Sequence, residues 1–225
     1  MQLRVAFDGS LPVARWGPLF HVLCLEQPGV TLTWKPVGFP TLGRPLLGDA
    51  DVGLFLEPPA EQALDTLAID SSPMVVVMAV GHPLGRRHEL TVADVLDQPF
   101  PNSPDVDPGW RAFWTLDEHR AGPPAFVGDG VTSTAAAIEI VATGAAIATL
   151  PEWAAAGLQH PGVVSVALGD GPVVTTRLVW RAGDNDPMVR ALVDLAAAWC
   201  ATGTGRSSTA PSRHSRAARP RPDAA

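Results

Sequence analysis

The sequence is poor in several residue types that reactive chemistry requires. Tyrosine is absent, Lys35 is the only lysine, and the 225 residues include two cysteines. A single lysine argues against Schiff-base chemistry, and its sequence context does not match a P-loop. Cys24 and Cys200 lie far apart and form no C-x-x-C motif or zinc-site spacing. This cysteine usage is typical of a cytoplasmic protein.

Long hydrophobic runs are also missing. The longest apolar run, Met74 to Val80, is too short to cross a bilayer. The N-terminal stretch MQLRVAFDGSLP has one arginine and a short apolar run broken at Asp8, which predicts a strand rather than a signal peptide. We therefore expect neither export nor membrane anchoring.

Signatures of catalysis and metal binding are scarce. The sequence contains no G-x-S-x-G and no H-E-x-x-H motif. Its six histidines show no paired spacing on a helix face, although a metal site needs three or four converging ligands. The carboxylate pairs Asp49/Asp51 and Asp105/Asp107 have the spacing of helix caps and loops. We expect no catalytic activity, no cofactor and no bound metal.

The chain does contain enough apolar residues for a sizeable core, at 46% hydrophobic residues and a mean hydropathy of +0.14. Its net charge is −7, and the last 20 residues hold five arginines against one aspartate, so the remainder is more acidic than the total. An acidic body repels phosphate backbones and argues against direct contact with DNA. Residues 201–225 lack an apolar period and are predicted to be a disordered tail.

In the first part of the chain, short β-like runs alternate with segments of helical period, which predicts an α/β fold with largely parallel sheets. Ser10 is a candidate N-cap for a helix with Trp16, Leu19, Phe20 and Leu23 on one face, and Pro18 is expected to kink or restart that helix. The predicted strands are Leu3 to Phe7, Val30 to Val37 and Gly48 to Phe55, with a short helical segment over Thr41 to Leu47.

The later part of the chain repeats this alternation. Leu64 to Asp70 and Met74 to Val80 are predicted as two separate strands. Further strands are predicted at Gln98 to Ser103, Pro124 to Gly128, Ala145 to Leu150, Val163 to Leu168 and Val173 to Trp180. Helices are predicted over Thr91 to Leu96 and over Pro108 to Leu116. A third predicted helix runs from a cap at Asp129 or Thr132 to Thr143, and two more start at Pro151 and Pro187. The apolar stripe of the last helix is Val189, Leu192, Val193, Ala196 and Trp199.

These elements predict two Rossmann-like lobes with a cleft between them. We place lobe I at about residues 1–76 and 176–200 and lobe II at about 80–171, joined by crossover segments near 77–80 and 171–176. A two-lobed body without an evident nucleophile, base or metal is suited to closing on a small ligand.

Turns that precede predicted helices are the candidate ligand contacts, because helix N-termini present unpaired N–H groups that suit carboxylates and other anions. The candidate residues are Asp8, Ser10, Phe39, Thr41, Pro101, Asn102, Ser103, Asp129 and Thr132. Ser10 would donate its hydroxyl and its backbone N–H, and Asn102 and Ser103 would close from the other lobe. Ordinary helix capping is an equally good explanation for each of these residues taken singly.

One aromatic cluster also bears on ligand binding. Trp110, Phe113 and Trp114 fall on one short predicted helix and could stack on a ligand. At helical spacing, packing against the lobe is the favoured interpretation.

Several stretches resemble the effector-binding domain of LysR-type transcriptional regulators, in the family's order. They are LRVAFDGS, QPGVTLTW, GDADVGLF, VVVMAVGHPLGRRHELTVADVLDQPF and VATGAAIATLPEWAAAG, and the resemblance covers about residues 2–200. It implies a type II periplasmic-binding-protein fold and a cytoplasmic sensor, a homodimer or homotetramer, whose cleft binds a small effector, often an anion. Family members often have a second glycine where Ala146 stands.

Intact regulators of this family carry an N-terminal winged helix-turn-helix, whereas the first predicted strand here starts at Leu3. We therefore expect this chain to leave DNA contact to a missing segment, or to be a stand-alone binding module. One alternative is an exported solute-binding protein of the same fold. Another is an enzyme that converts small acids, for which Asp8 and Asp129 are the nearest candidate acid or base residues.

Overall fold

A computed structural model describes residues 1–41, 45–59 and 63–202 of the chain. Strands and helices alternate along most of this length. The strands are β1 (Gln2–Asp8), β2 (Thr31–Val37), β3 (Val52–Leu56), β4 (Leu64–Ala79), β5 (Glu89–Leu90), β6 (Phe100–Pro101), β7 (Phe126–Val127), β8 (Ala148–Pro151), β9 (Val163–Leu168) and β10 (Val173–Arg181). The helices are α1 (Gly17–Glu26), α2 (Pro108–Trp114), α3 (Thr134–Ala142), α4 (Glu152–Gly157) and α5 (Pro187–Ala201).

The main sheet has the order β2-β1-β3-β10-β4-β9-β5, with β8 also paired to β4. Strand β1 runs parallel to β2 and β3, but β10 is antiparallel to β3 and β4, and β4 is antiparallel to β8 and β9. The expectation of largely parallel sheets is therefore wrong at the centre of the molecule. We use first lobe for the part built on β1, β2, β3 and β10, and second lobe for the part built on β5 to β9.

Strand β4 connects these two parts as one continuous strand of 16 residues. The prediction of two separate strands is wrong because Ser71, Ser72 and Pro73 continue the strand. Pro73 is the last residue of β4 that pairs with β10, and Met74 is the first that pairs with β8. A proline lacks the N–H of a ladder bond, so the point where partners change tolerates it.

The chain returns from β9 to β10 through residues 169–172. The two crossings thus lie side by side in the sheet, since β4 is flanked by β9 and β10. The exact lobe boundaries derived from the sequence stay predictions.

In the first lobe, α1 starts after a 3₁₀ turn over Val13–Trp16 and carries Pro18 in its first turn. This confirms that the proline restarts the helix, where its missing N–H is not needed. Leu19, Phe20 and Leu23 are buried as predicted. Ser10 does not cap a helix, because its side chain donates a hydrogen bond to Asp8 instead.

Helix α5 packs on the same lobe and is capped by Asp186, whose Oδ1 accepts a hydrogen bond of 2.8 Å from the N–H of Met188. Val189, Leu192 and Ala196 form its buried stripe, which confirms the predicted face. The helix ends at Ala201. The predicted disordered tail falls, from residue 203 onward, outside the described residues.

In the second lobe, α3 packs on β4 through a cluster that includes Val75, Val77, Ile138 and Val141. Its cap is Ser133, whose Oγ accepts a hydrogen bond of 3.3 Å from the N–H of Ala136. The predicted caps Asp129 and Thr132 are therefore wrong. A cap at Asp129 would start the helix about one turn earlier than observed, and a cap at Thr132 would start it one residue earlier.

Two predicted short helices also differ. The segment over Thr91 to Leu96 forms only a 3₁₀ turn at Val92–Asp94. The segment over Thr41 to Leu47 is not helical at Thr41 or at residues 45–47, and residues 42–44 lie outside the described part. Thr41 instead forms an isolated antiparallel bridge with Val106.

No helix among residues 1–41, 45–59 and 63–202 combines the length and the apolar character that a bilayer crossing requires.

Candidate ligand-binding site between the lobes

A cavity of about 80 Å³ lies between the two lobes. One water needs roughly 10–15 Å³ of such space, so the cavity has room for several waters or a small organic ligand. Most of its wall is apolar, with a few polar groups. The lining residues are Asp8, Ser10, Phe39, Leu56, Phe100, Pro101, Ser103, Trp110, Arg111, Trp114, Thr115, Val131, Thr134, Ala137, Ile138, Ala148, Thr149 and Leu150.

Five of the residues chosen from the sequence line this cavity. They are Asp8, Ser10, Phe39, Pro101 and Ser103, and they come from both lobes. The ends of β1 and β6 and the segment after β2 therefore meet at one place, as the topology of a two-lobed α/β fold dictates. Their role as ligand contacts stays a prediction.

The other four candidates lie outside the lining. Asn102 uses its backbone, because its N–H donates to Val127 at 2.8 Å and its carbonyl accepts from Val131 at 2.7 Å. Asp129 is exposed between two glycines with positive φ. Thr132 is exposed, and the Thr41 hydroxyl donates to the Phe39 carbonyl at 3.3 Å.

Asp8 is the buried carboxyl group of the cavity, with 5% of the residue exposed. Its Oδ1 accepts hydrogen bonds from the backbone N–H of Ser10 at 2.8 Å and from the Ser10 hydroxyl at 2.6 Å. Burial raises the pKa of Asp8, and these two hydrogen bonds lower it in part. Both Ser10 donors that we expected to meet a ligand are therefore engaged by Asp8 in this structure.

Helix α2 supplies the aromatic wall. Trp110 and Trp114, one turn apart, both line the cavity, and the ring centroids of Phe39 and Trp110 lie 4.8 Å apart at an angle of 44°. Asp107 caps this helix, because its Oδ1 accepts a hydrogen bond of 2.9 Å from the N–H of Trp110, and Pro108 is the first helical residue.

The favoured interpretation of this aromatic cluster as packing therefore holds only in part. Phe113 packs against the core and against Trp114, with ring centroids 5.2 Å apart. Trp110 and Trp114 pack as well but also face the cavity. Their i, i+4 spacing was the one sequence signal for this wall.

Arg111 is a lining residue that sequence reasoning missed. Its Nη1 donates a long hydrogen bond of 3.5 Å to the Ser103 carbonyl, and its guanidinium carbon lies 5.4 Å from the Phe126 ring centroid. Nothing in the local sequence distinguishes Arg111 from a solvent-facing helix arginine. Its place follows from how α2 packs beside Ser103 and Phe126.

Direct backbone contacts join the lobes beside the cavity, at a segment that includes the lining residue Phe39. The Phe39 N–H donates to the Thr132 carbonyl at 3.1 Å, and the Asp107 N–H donates to the Pro40 carbonyl at 2.9 Å. We call the segment Gly38–Thr41, with its bridge to Val106, the latch. A Cβ at Gly38 would lie 2.8 Å from the Thr132 carbonyl oxygen, so the close approach requires glycine.

A second contact between the lobes lies near the strand crossings. The rings of Trp16 and Trp153 meet edge to face with centroids 6.1 Å apart. Arg15 lies 6.0 Å from both rings and pairs with Asp70 of β4 at 2.8 Å. The Asp70 side chain is only 3% exposed, so this ion pair is anchored in the protein interior.

The two candidate acid or base residues of the enzyme alternative lie in different surroundings. Asp8 lines the cavity, whereas Asp129 is exposed and outside the lining. In the part of the chain that the structure describes, no three His, Cys, Asp or Glu residues are arranged to hold a metal ion.

Comparisons with known proteins agree with this geometry. The chain is 25% identical over 147 residues to the Hca operon transcriptional activator HcaR of Escherichia coli (strain K12), a match that covers 64% of this chain and 49% of that protein. The chain thus spans about half the length of the curated relative it matches.

Two solved structures share the fold. The effector-binding domain of QuiR in complex with shikimate aligns with a TM-score of 0.73 and 17% identity, over 90% of this chain and 98% of that one. The BenM effector-binding domain with its effector benzoate aligns with a TM-score of 0.65 and 16% identity, over 90% and 93%. The fold is of the type II periplasmic-binding-protein kind.

The family model for the LysR substrate binding domain matches residues 1–201. This match includes every strand and helix described above, the cavity and the latch. The chain belongs to the LysR substrate binding domain family.

Proposed function

We propose that this chain is the effector-sensing part of a cytoplasmic LysR-type transcription regulator, and that the cavity between the lobes is its effector site. The main support for the proposal is that one cavity takes its walls from both lobes and lies beside direct contacts between them. A ligand there touches both lobes at once, so its binding free energy depends on how far the lobes are closed.

The latch supplies the element whose equilibrium the ligand shifts. Its two backbone hydrogen bonds and the Thr41–Val106 bridge form only when the lobes are close. At saturation, a ligand that binds the closed form more tightly multiplies the ratio of closed to open molecules by the ratio of its two affinities. Ordering of the latch is then the signal that the rest of the regulator receives.

The hinge of this movement is the pair of crossings formed by β4 and residues 169–172. The partners of β4 change at Pro73, and residues 169–172 connect the lobes next to it. The Trp16–Trp153 contact links the lobes close to these crossings, and the Arg15–Asp70 pair holds Arg15 against β4 beside that contact. Rotation there changes the width of the cavity while the sheet stays paired.

The relatives support the choice of ligand size. Shikimate and benzoate, which are bound to QuiR and BenM, are both small carboxylates. We propose that this chain also binds a small metabolite and does not convert it. We further propose that the regulator is a homodimer or homotetramer and that another segment contacts DNA, because the acidic chain is unsuited to that contact.

Thermal unfolding and X-ray scattering of the chain, alone and with a panel of small metabolites, test the proposal. A ligand should raise the melting temperature, decrease the radius of gyration and be recovered unchanged. Ala148→Leu, which fills the cavity, should abolish the response, and Ala135→Leu, on the exposed face of α3, should preserve it. An equal response of the two variants, or turnover of the compound, would contradict the proposal.

A further inference from the structure

Arg111 is a cation of the cavity without an anionic partner among the described residues. Asp8 and Arg111 are the ionisable residues among those that line the cavity. In the described part of the chain, Arg111 makes no ion pair, and its hydrogen bond to Ser103 is long at 3.5 Å. A guanidinium has five N–H donors in a planar fork that matches a carboxylate, so most of this binding capacity is free.

Asp8 forms no ion pair with Arg111 in the described structure. Its Oδ1 already accepts both donors of Ser10. Burial favours the neutral form of its carboxyl group by raising the pKa. The charge of Arg111 therefore remains available to a ligand.

The remaining walls select the body of the ligand. Phe39 and Trp110 present rings inclined at 44°, and Trp114 continues this aromatic surface along α2. Aromatic faces of this kind hold flat apolar groups by stacking and by area buried. A volume of about 80 Å³ limits such a group to one ring or a short chain.

We infer that this cavity selects a small monocarboxylate with a flat apolar body, whose carboxylate binds Arg111 and whose body lies against Trp110 and Phe39. This inference rests on the proposed function, because it assumes that the cavity is the effector site. A second anionic group would find no second cation among the described residues that line the cavity, and a cationic ligand would be repelled by Arg111.

Titration with matched pairs of probes tests the inference. The probes are benzoate, cyclohexanecarboxylate and 2-furoate, each with its uncharged amide, together with phthalate and benzylamine as the dianion and the cation. Binding is followed by calorimetry and by the fluorescence of the cavity tryptophans. We expect at least one monocarboxylate to bind about tenfold or more tightly than its amide, because the amide cannot form the ionic contact. The inference is overturned if no monocarboxylate binds more tightly than its amide.

Two substitutions assign the preference to Arg111. Arg111→Gln should weaken binding of the monocarboxylate about tenfold or more and leave binding of the amide unchanged, while Arg111→Lys should retain part of the preference. Arg190→Gln, on the exposed surface of α5, is the matched control and should change neither affinity. Circular dichroism verifies that each variant is folded. An Arg111→Gln variant that keeps the full preference would overturn the inference.

The cavity-filling variant Ala148→Leu separates this inference from the proposed function. If an amide, phthalate or benzylamine binds most tightly and Ala148→Leu abolishes that binding, the ligand class is wrong and the sensing function stands. If Ala148→Leu affects no ligand of any class, then the proposed effector site itself is wrong.

Discussion

The indole N–H of Trp110 donates a hydrogen bond of 3.2 Å to the backbone carbonyl of Leu56, and the bond is buried. Leu56 ends β3 in the first lobe, and Trp110 lies on α2 in the second lobe. One side chain thus forms a wall of the cavity and also holds the lobes together. We therefore expect stability and ligand binding to be coupled at this residue.

Trp110→Phe should lower the free energy of unfolding by about 1–3 kcal/mol, because it leaves the buried Leu56 carbonyl without its donor. Urea denaturation measures the change. Trp199→Phe, in α5 and away from the cavity, is the matched aromatic control and should cost less. A loss no greater at Trp110 than at Trp199 would show that the bond between the lobes contributes little.

Gly38→Ala should disrupt the latch, because the added Cβ would meet the Thr132 carbonyl oxygen at 2.8 Å. We expect a larger radius of gyration in X-ray scattering and weaker ligand binding, since closure becomes less favourable. Gly17→Ala provides the control, because nothing lies within 4 Å of a Cβ there. Identical scattering by wild type and Gly38→Ala would mean that the latch does not hold the lobes closed.

Asp107→Ala should cost about 1 kcal/mol of stability by removing the cap of α2. It should also weaken ligand binding, because this short helix positions Trp110, Arg111 and Trp114. Thermal unfolding and calorimetry measure the two effects. Asp105→Ala, an exposed aspartate in the same loop, should change neither quantity. Unchanged ligand affinity in Asp107→Ala would show that the cap is not needed to position the wall.

The stability of the protein should depend on pH through Asp8. The unfolded chain releases this proton as the pH rises past the ordinary pKa of 3.8, whereas the folded protein, in which burial raises the pKa, holds it to higher pH. Over that window the unfolded state binds fewer protons, so the contribution of Asp8 to stability falls as the pH rises.

Asp8→Asn removes this titration and can still accept the hydrogen bonds from Ser10. Its free energy of unfolding relative to wild type should therefore rise as the pH increases above about 3.8. Asp49→Asn should show the opposite sign, because a hydrogen bond from Lys35 lowers the pKa of exposed Asp49. Denaturant titrations at several pH values measure both differences. A flat difference for Asp8→Asn would contradict the assigned effect of burial.

Local patterns in the sequence were sufficient to predict most helices and strands. The stripe of α5 and the restart of α1 at Pro18 depend on neighbours in the chain, and both were predicted correctly. The continuity of β4 was not, because Pro73 interrupts a strand unless its partners change at that point. A change of partners is a property of the whole sheet.

The candidate site likewise contains some residues that the sequence predicts and others that it does not. Asp8, Phe39 and Ser103 follow or end predicted strands, so the topology alone brought them together. Arg111 depends on the rotation of α2 about its axis, and Thr149 and Leu150 line the cavity only because β8 pairs with the second half of β4. Such residues are identified by packing between elements distant in the chain, which short sequence patterns do not contain.

A crystal structure of the chain with the tightest-binding monocarboxylate would locate the ligand itself. We expect the ligand to lie between the lobes, with its carboxylate on Arg111 and its body against Trp110, and the latch to be closed. Ligand density on the outer surface, with the cavity filled only by water, would show that the cavity is not the effector site.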